Sequence, residues 1–307
     1  MSDLTLAHTG SSVAAIDATA TLSDEDLAAL RRAVRALEQP GLAARLSAAA
    51  GAPLDLIGRS LPAPVADAVA RSTEAAMRGA LRVALRTLPR TQAAAGGTEI
   101  EPASPGSAGV LSRLMKSSEA SHKAMAALSG AVGGAFGLAT LAVELPVSTT
   151  LMLRSIAQIA REEGEDIETP EGALACVQVF ALGGRGGSGT GLAESGYFAV
   201  RTALAKTMSE AARYAGSKAL LDEAAPALIR FSAQIAARFG IVVSQKVAAQ
   251  AVPILGALGG AAVNTAFMNH FQSTARGHFT IRRLERAYGK ESVRAAYDAE
   301  KALLGIA

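Results

Sequence analysis

The chain has no tryptophan, a single cysteine and an aromatic share of only 4%. One cysteine, Cys176, rules out an intrachain disulfide and fits a reducing compartment. The scarcity of aromatics argues against a β-sandwich, whose strands draw on aromatic and β-branched residues. No convincing run alternates polar with apolar residues, so strands are not expected. A strong charge of one sign is also missing. The formal net charge is +3 over 307 residues, too small a surplus to argue nucleic-acid binding. Lysine is scarce, so most of the positive charge is arginine, which forks onto carboxylates and phosphates alike. The N-terminus has neither a basic start nor a continuous apolar run and does not read as a secretory signal.

What the chain does have is small apolar mass. Half of it is hydrophobic, mostly Ala, Leu and Val, and it carries 30 glycines. That mixture favours closely packed helices. Residues 130–136 read GAVGGAF and residues 256–262 read GALGGAA, each inside an uncharged segment, 124–143 and 247–268. Glycine at four-residue spacing (Gly130/Gly134, Gly133/Gly137, Gly256/Gly260) lays a flat stripe along a helix and lets backbones approach closely, in lipid or in a dry core. Each segment is long enough to span a bilayer, yet Ala and Gly drive insertion weakly. Both readings, buried soluble helices and membrane contact, stay open here.

The organisation reads as follows. Residues 1–22 form a polar, aperiodic tail and 23–88 the N-terminal helices, the first capped by Ser23 with Asp24, Glu25 and Asp26 in its first turn. Residues 89–108 form a linker or surface loop, and 109–307 the helical core. Pro146 is expected to kink or break its helix near Leu145. Thr169-Pro170-Glu171 reads as a cap with proline at the first helical position. The count of periodic segments gives around ten helices, and the fold class is all-α, a multi-helix bundle with two glycine-rich central segments.

No catalytic or metal-binding constellation is complete. Gly184, Gly186 and Gly189 satisfy G-x-G-x-x-G, but the residues before them are capped like a helix, and a nucleotide site needs a strand there. The four histidines have no partner at metal-ligand spacing, so no metal and no cofactor are expected. Cys176, on the apolar side of a helix, is expected to pack. Glu144 stands out because it follows twenty uncharged residues. Burial of such a carboxylate demands a partner, with Arg154 or Arg201 as candidates. The structural reading is an ion pair; the functional one is a carboxylate poised for proton transfer or a ligand contact. Asn264, inside the second uncharged segment, reads as a bridge between helices. Arg78, Arg82 and Arg86 recur at four-residue spacing, and Arg283, Arg286 and Lys290 gather near the C-terminus. Each set is either a solvated face or a basic surface for anionic lipid.

From about Pro53 to Tyr297 the chain resembles the EcsC protein family of bacteria. The stretches that carry the likeness are ELPVSTTLMLRSIAQIAREEG (144–164), PEGALACVQVFALGG (170–184), ESGYFAVR (194–201), PILGALGGAAVNTAFMNHF (253–271) and ARGHFTIRRLERAYG (275–289). Glu144, Arg154, Tyr197, Arg201, Asn264 and Phe267 stand where that family's recurring motifs lie. The resemblance implies a cytoplasmic helical protein, with membrane association and an envelope-linked role as options, and no established reaction. The functional expectation is a non-enzymatic protein, peripheral to an anionic inner-membrane surface or to a membrane protein, with a lipid among its candidate ligands. The alternatives are a hydrolase using Glu144 and a soluble lipid or small-molecule carrier.

Overall fold

The computed structural model describes residues 22–38, 42, 45–46, 58, 60–86, 141–184, 196–217, 225–251 and 260–305. Among them the fold is all-α, with eight helices: α1 (Asp24–Glu38), α2 (Ala63–Arg86), α3 (Leu141–Glu162), α4 (Pro170–Leu182), α5 (Tyr197–Ser217), α6 (Pro226–Ala251), α7 (Gly260–Tyr288) and α8 (Lys290–Leu303). The expected linker 89–108 and the stripe Gly130–Gly137 lie outside the described residues, as does Gly256.

Local signals explain the helix starts. The Ser23 hydroxyl accepts from the Asp26 amide at 3.2 Å, and three acidic residues follow where the helix dipole favours them. Thr169 caps α4 by accepting from the Gly172 amide at 3.2 Å, with Pro170 next in line. Gly289 separates α7 from α8 at φ +86°, a left-handed conformation that favours glycine.

Pro146 does not break its helix: α3 runs unbroken from Leu141 to Glu162. The carbonyl the proline leaves without a donor is that of Ala142, at an exposed position. From Gly260 onward the second uncharged segment runs on into the basic stretch that follows as the single helix α7, because no proline interrupts it.

Helix α4 is the centre. Every residue from Gly172 to Leu182 is buried, and α2, α3, α5, α6 and α7 all pack around it. A helix apolar on all sides is stable only inside such a sleeve. Phe180 meets Phe239 and Phe271 with ring centroids 5.1 and 5.4 Å apart, and Phe267 extends the cluster. Helix α6 is long and apolar enough, over Pro226–Gln250, to cross a membrane by length and composition. In the bundle it packs on α2, α4, α5 and α7.

Helices α3 and α7 run parallel, in one register. Asn264 Nδ2 donates to Glu144 Oε1 at 3.2 Å, Gln272 Nε2 to Ser155 Oγ at 2.7 Å, and Thr280 Oγ1 to Glu163 Oε1 at 3.0 Å. The sequence separations are 120, 117 and 117, nearly constant, as only parallel helices allow. One end of this pair is therefore apolar, where both uncharged segments adjoin it. The other end is charged, where Glu163 and Glu165 meet the arginines of α7.

Candidate functional site

At the apolar end, three helices bring three polar side chains together. Lys246 of α6 donates from Nζ to Glu144 Oε1 of α3 at 2.7 Å, and Asn264 of α7 donates to the same oxygen. Side-chain exposure is 1% for Lys246 and 7% for Glu144. The Lys246 ammonium also lies over the Phe267 ring, 5.1 Å from its centroid, a cation–π contact that partly replaces lost hydration. Burial pushes the Lys246 ammonium below its ordinary range, and Glu144 opposes that shift. Beside the cluster, Val143 and Val147 on α3 turn outward, 70% and 48% exposed.

A second cluster lies where α5 meets α7. The Tyr197 hydroxyl and His278 Nδ1 are 2.9 Å apart, and both side chains are buried. Arg201 donates to Tyr197 Oη at 3.2 Å and forks onto Glu285 at 2.7 and 2.8 Å. Tyr297 of α8 stacks on Tyr197 with centroids 5.8 Å apart, and its hydroxyl donates to Glu38 at 2.6 Å. His278 Nε2 is buried without a hydrogen-bond partner among the described residues. Burial, reinforced by Arg201 and Arg282, holds His278 well below the usual imidazole range, so the ring is neutral. The same burial pushes the Tyr197 phenol up.

The residues named from sequence thus fall into different places. Glu144, Asn264 and Phe267 converge at the apolar end. Tyr197 and Arg201 share the second cluster. Arg154 is half-buried on α3 and joins neither. The partner of Glu144 is Lys246, neither Arg154 nor Arg201, whose guanidinium is spent on Glu285. Arg78, Arg82 and Arg86 are exposed on α2, and Lys290 is exposed at the start of α8. Arg283 instead bridges Glu163 and Asp26, both at 2.9 Å. Arg286 pairs with Glu165, which Arg282 also holds, and donates to the Glu163 carbonyl. These two arginines tie α7 to α1 and to the end of α3, so their charge is engaged by carboxylates while their side chains stay 38% and 43% exposed.

Lys246, His278, Glu285 and Tyr297 were not singled out from sequence. For Lys246 a signal exists: it is the only Asp, Glu, Lys or Arg between Arg238 and Arg276. Cys176 is buried in α4, its thiol pushed up to about 12 by burial, and so is inert as a nucleophile. Gly184 follows helix α4, so the glycine loop lacks the preceding strand of a dinucleotide site. Among the described residues no group of three His, Cys, Asp or Glu side chains could hold a metal.

Residues 24–284 match the sequence pattern of the EcsC protein family, and the chain belongs to that family. The match begins at Asp24, so α1 lies inside it, earlier than the start near Pro53 that the sequence resemblance suggested. No curated protein and no solved structure matches the chain.

Proposed function

We propose that this EcsC-family chain is a non-enzymatic helical protein that docks peripherally, from the cytoplasmic side, on an anionic membrane surface. One observation carries the reading. Arg71, Arg78 and Arg86 lie exposed along one face of α2, and no carboxylate among the described residues pairs with them. Arg31, Arg201, Arg230, Arg282, Arg283 and Arg286 each hold a carboxylate. A row of unspent guanidinium groups suits phosphate, which they bind as forks. Each cation near an anionic leaflet contributes about 1 kcal/mol, so the row supports reversible attachment. The contacts of Glu144 favour binding over catalysis: it is held by a cation and an amide, and Ser148, one turn on, spends its hydroxyl on the Leu145 carbonyl.

Co-flotation with vesicles tests this. Phosphatidylglycerol-containing vesicles should carry the protein up the gradient and pure phosphatidylcholine vesicles should not, with binding lost steeply as salt rises. Arg78→Glu/Arg86→Glu should abolish flotation. Equal flotation on neutral and anionic vesicles, or none without a second membrane protein present, would overturn the lipid reading.

A further inference from the structure

The Lys246–Glu144 pair carries hydrogen-bonding capacity that the described residues do not use. A lysine ammonium has three N–H donors. Lys246 spends one on Glu144 Oε1 and turns toward the Phe267 ring, which leaves further N–H donors of a wholly buried cation without an acceptor among the described residues. Glu144 is equally one-sided. Oε1 accepts from both Lys246 and Asn264, while Oε2 accepts from no group among the described residues. Buried polar capacity of this kind is costly when unmet, and most native structures meet it. The spare donors and the spare acceptor sit side by side on one ion pair.

The chemistry of a complementary group follows. The pair is already neutral, so a ligand of either charge would bury an uncompensated charge. The group must accept from an ammonium and donate to a carboxylate. A hydroxyl does both at one atom. Access is on the Glu144 side, since that carboxylate keeps a little exposure and its chain neighbours Val143 and Val147 are open. An apolar lip beside a polar floor suits a hydroxyl carried on or next to a hydrocarbon. We propose that Glu144, Lys246 and Asn264, with Phe267 against the ammonium, form a binding site for a neutral hydroxyl-bearing group of the glycerol or polyol type. The source is either a free polyol or the headgroup of an uncharged glycerolipid. The inference stands apart from the arginine row of α2 and does not depend on it.

Two probes separate the sources. Free myo-inositol is titrated against the full chain by saturation-transfer NMR, and monoolein is presented in phosphatidylcholine vesicles, to which the arginine row contributes nothing. Saturable binding of one probe is expected, with at least a tenfold loss in Glu144→Met/Lys246→Met, which removes both charges together and spares the core an orphaned ion. Binding of myo-inositol alone assigns a free polyol, and binding of monoolein alone assigns a lipid. A diazirine-bearing monoolein, used on the unaltered protein, should label residues around Val143, Val147 or Phe267. That second measurement holds even if the double variant fails to fold. Saturable binding of neither probe, equal binding to the double variant, or saturable monoolein binding whose labelling is confined to other surfaces would each overturn the proposal.

Discussion

Glu144 and Lys246 stand 102 residues apart, yet their charged atoms meet at 2.7 Å inside the bundle. Each borders an uncharged segment: Glu144 follows 124–143 and Lys246 precedes 247–268. Pairing the two border charges is how the fold admits long charge-free stretches without stranding an ion. The constraint also fixes geometry, since α3, α6 and α7 must converge where those segments adjoin them.

Breaking that pair one-sidedly should be expensive. Lys246→Met leaves the Glu144 carboxylate buried with only an amide for company, and Glu144→Gln leaves the ammonium without its counter-ion. Losing one member of a buried pair costs roughly 3–5 kcal/mol. The double replacement Glu144→Met/Lys246→Met should recover most of the loss, since volume-matched apolar residues often replace a buried pair with little penalty. Urea melts of the three variants check this. Single variants as stable as the parent would show that the ion pair contributes nothing to folding.

Acid should weaken the fold before the carboxylates titrate. His278 is held neutral, well below the ordinary imidazole range, by burial and by Arg201 and Arg282. In the unfolded chain the same ring takes up a proton near pH 6.5, so the unfolded state binds more protons just below that pH. Stability is therefore full above about pH 6.5 and falls as pH drops from there, by up to about 1.4 kcal/mol per unit from this one group. The lowered carboxylates, Asp26, Glu165 and Glu300, lose their contribution only in a more acidic window. Denaturant midpoints at pH 7.5, 6.5 and 5.5 should decline in the parent protein. In His278→Phe the decline over this interval should vanish, whatever the absolute stability.

The all-α class, the family and the caps at Ser23 and Thr169 were legible in the chain, because each rests on short-range pattern. Burial of Glu144 was legible too, from the uncharged run before it. Its partner was not. Arg154 is nearer in sequence, but ten residues along α3 separate it from Glu144, and helices carry such residues apart. The mirror-image border charge, Lys246, could have been found by asking which other charge stands alone beside an uncharged segment. The carboxylate partners of the basic set near the C-terminus were hidden for a different reason. Periodicity shows that Arg283 and Arg286 share a helix but says nothing about acids at Asp26, Glu163 and Glu165, which tertiary packing brings to them. The break expected at Pro146 is absent from α3 because the carbonyl that the proline leaves free, that of Ala142, stands at an exposed position where water can meet it.

The two arginine sets should part company under charge reversal. Arg78→Glu changes an exposed side chain with no carboxylate partner among the described residues, so stability should move by no more than about 0.5 kcal/mol while anionic-vesicle binding weakens. Arg283→Glu places a third carboxylate between Asp26 and Glu163, so the melting temperature should drop and vesicle binding of the folded fraction should hold. Paired thermal melts and flotation assays read both effects. Reversed behaviour would make the C-terminal end the docking face.

Gly277 sets how closely α7 approaches α1. A Cβ built there would stand 2.7 Å from Leu37 Cγ and 3.2 Å from the Ala33 carbonyl oxygen. The leucine tip could give way, but the carbonyl belongs to the α1 backbone and yields only if the helix shifts. Helix α1 is pinned against such a shift by the Arg31–Glu300 fork, at 2.8 Å for both bonds, and by Asp26 on Arg283. Gly277→Ala should therefore be destabilising despite alanine's better helix propensity, and Gly277→Leu more so, with overpacking costs of roughly 1–3 kcal/mol. Gly79, on the half-buried flank of α2, is the control, because a Cβ there meets nothing within 4 Å. Gly79→Ala should raise stability by about 0.4–1 kcal/mol through helix propensity and lost freedom in the unfolded chain. Denaturant melts of the two alanine variants should shift in opposite directions. A stabilising Gly277→Ala would mean that α1 rides loosely on α7.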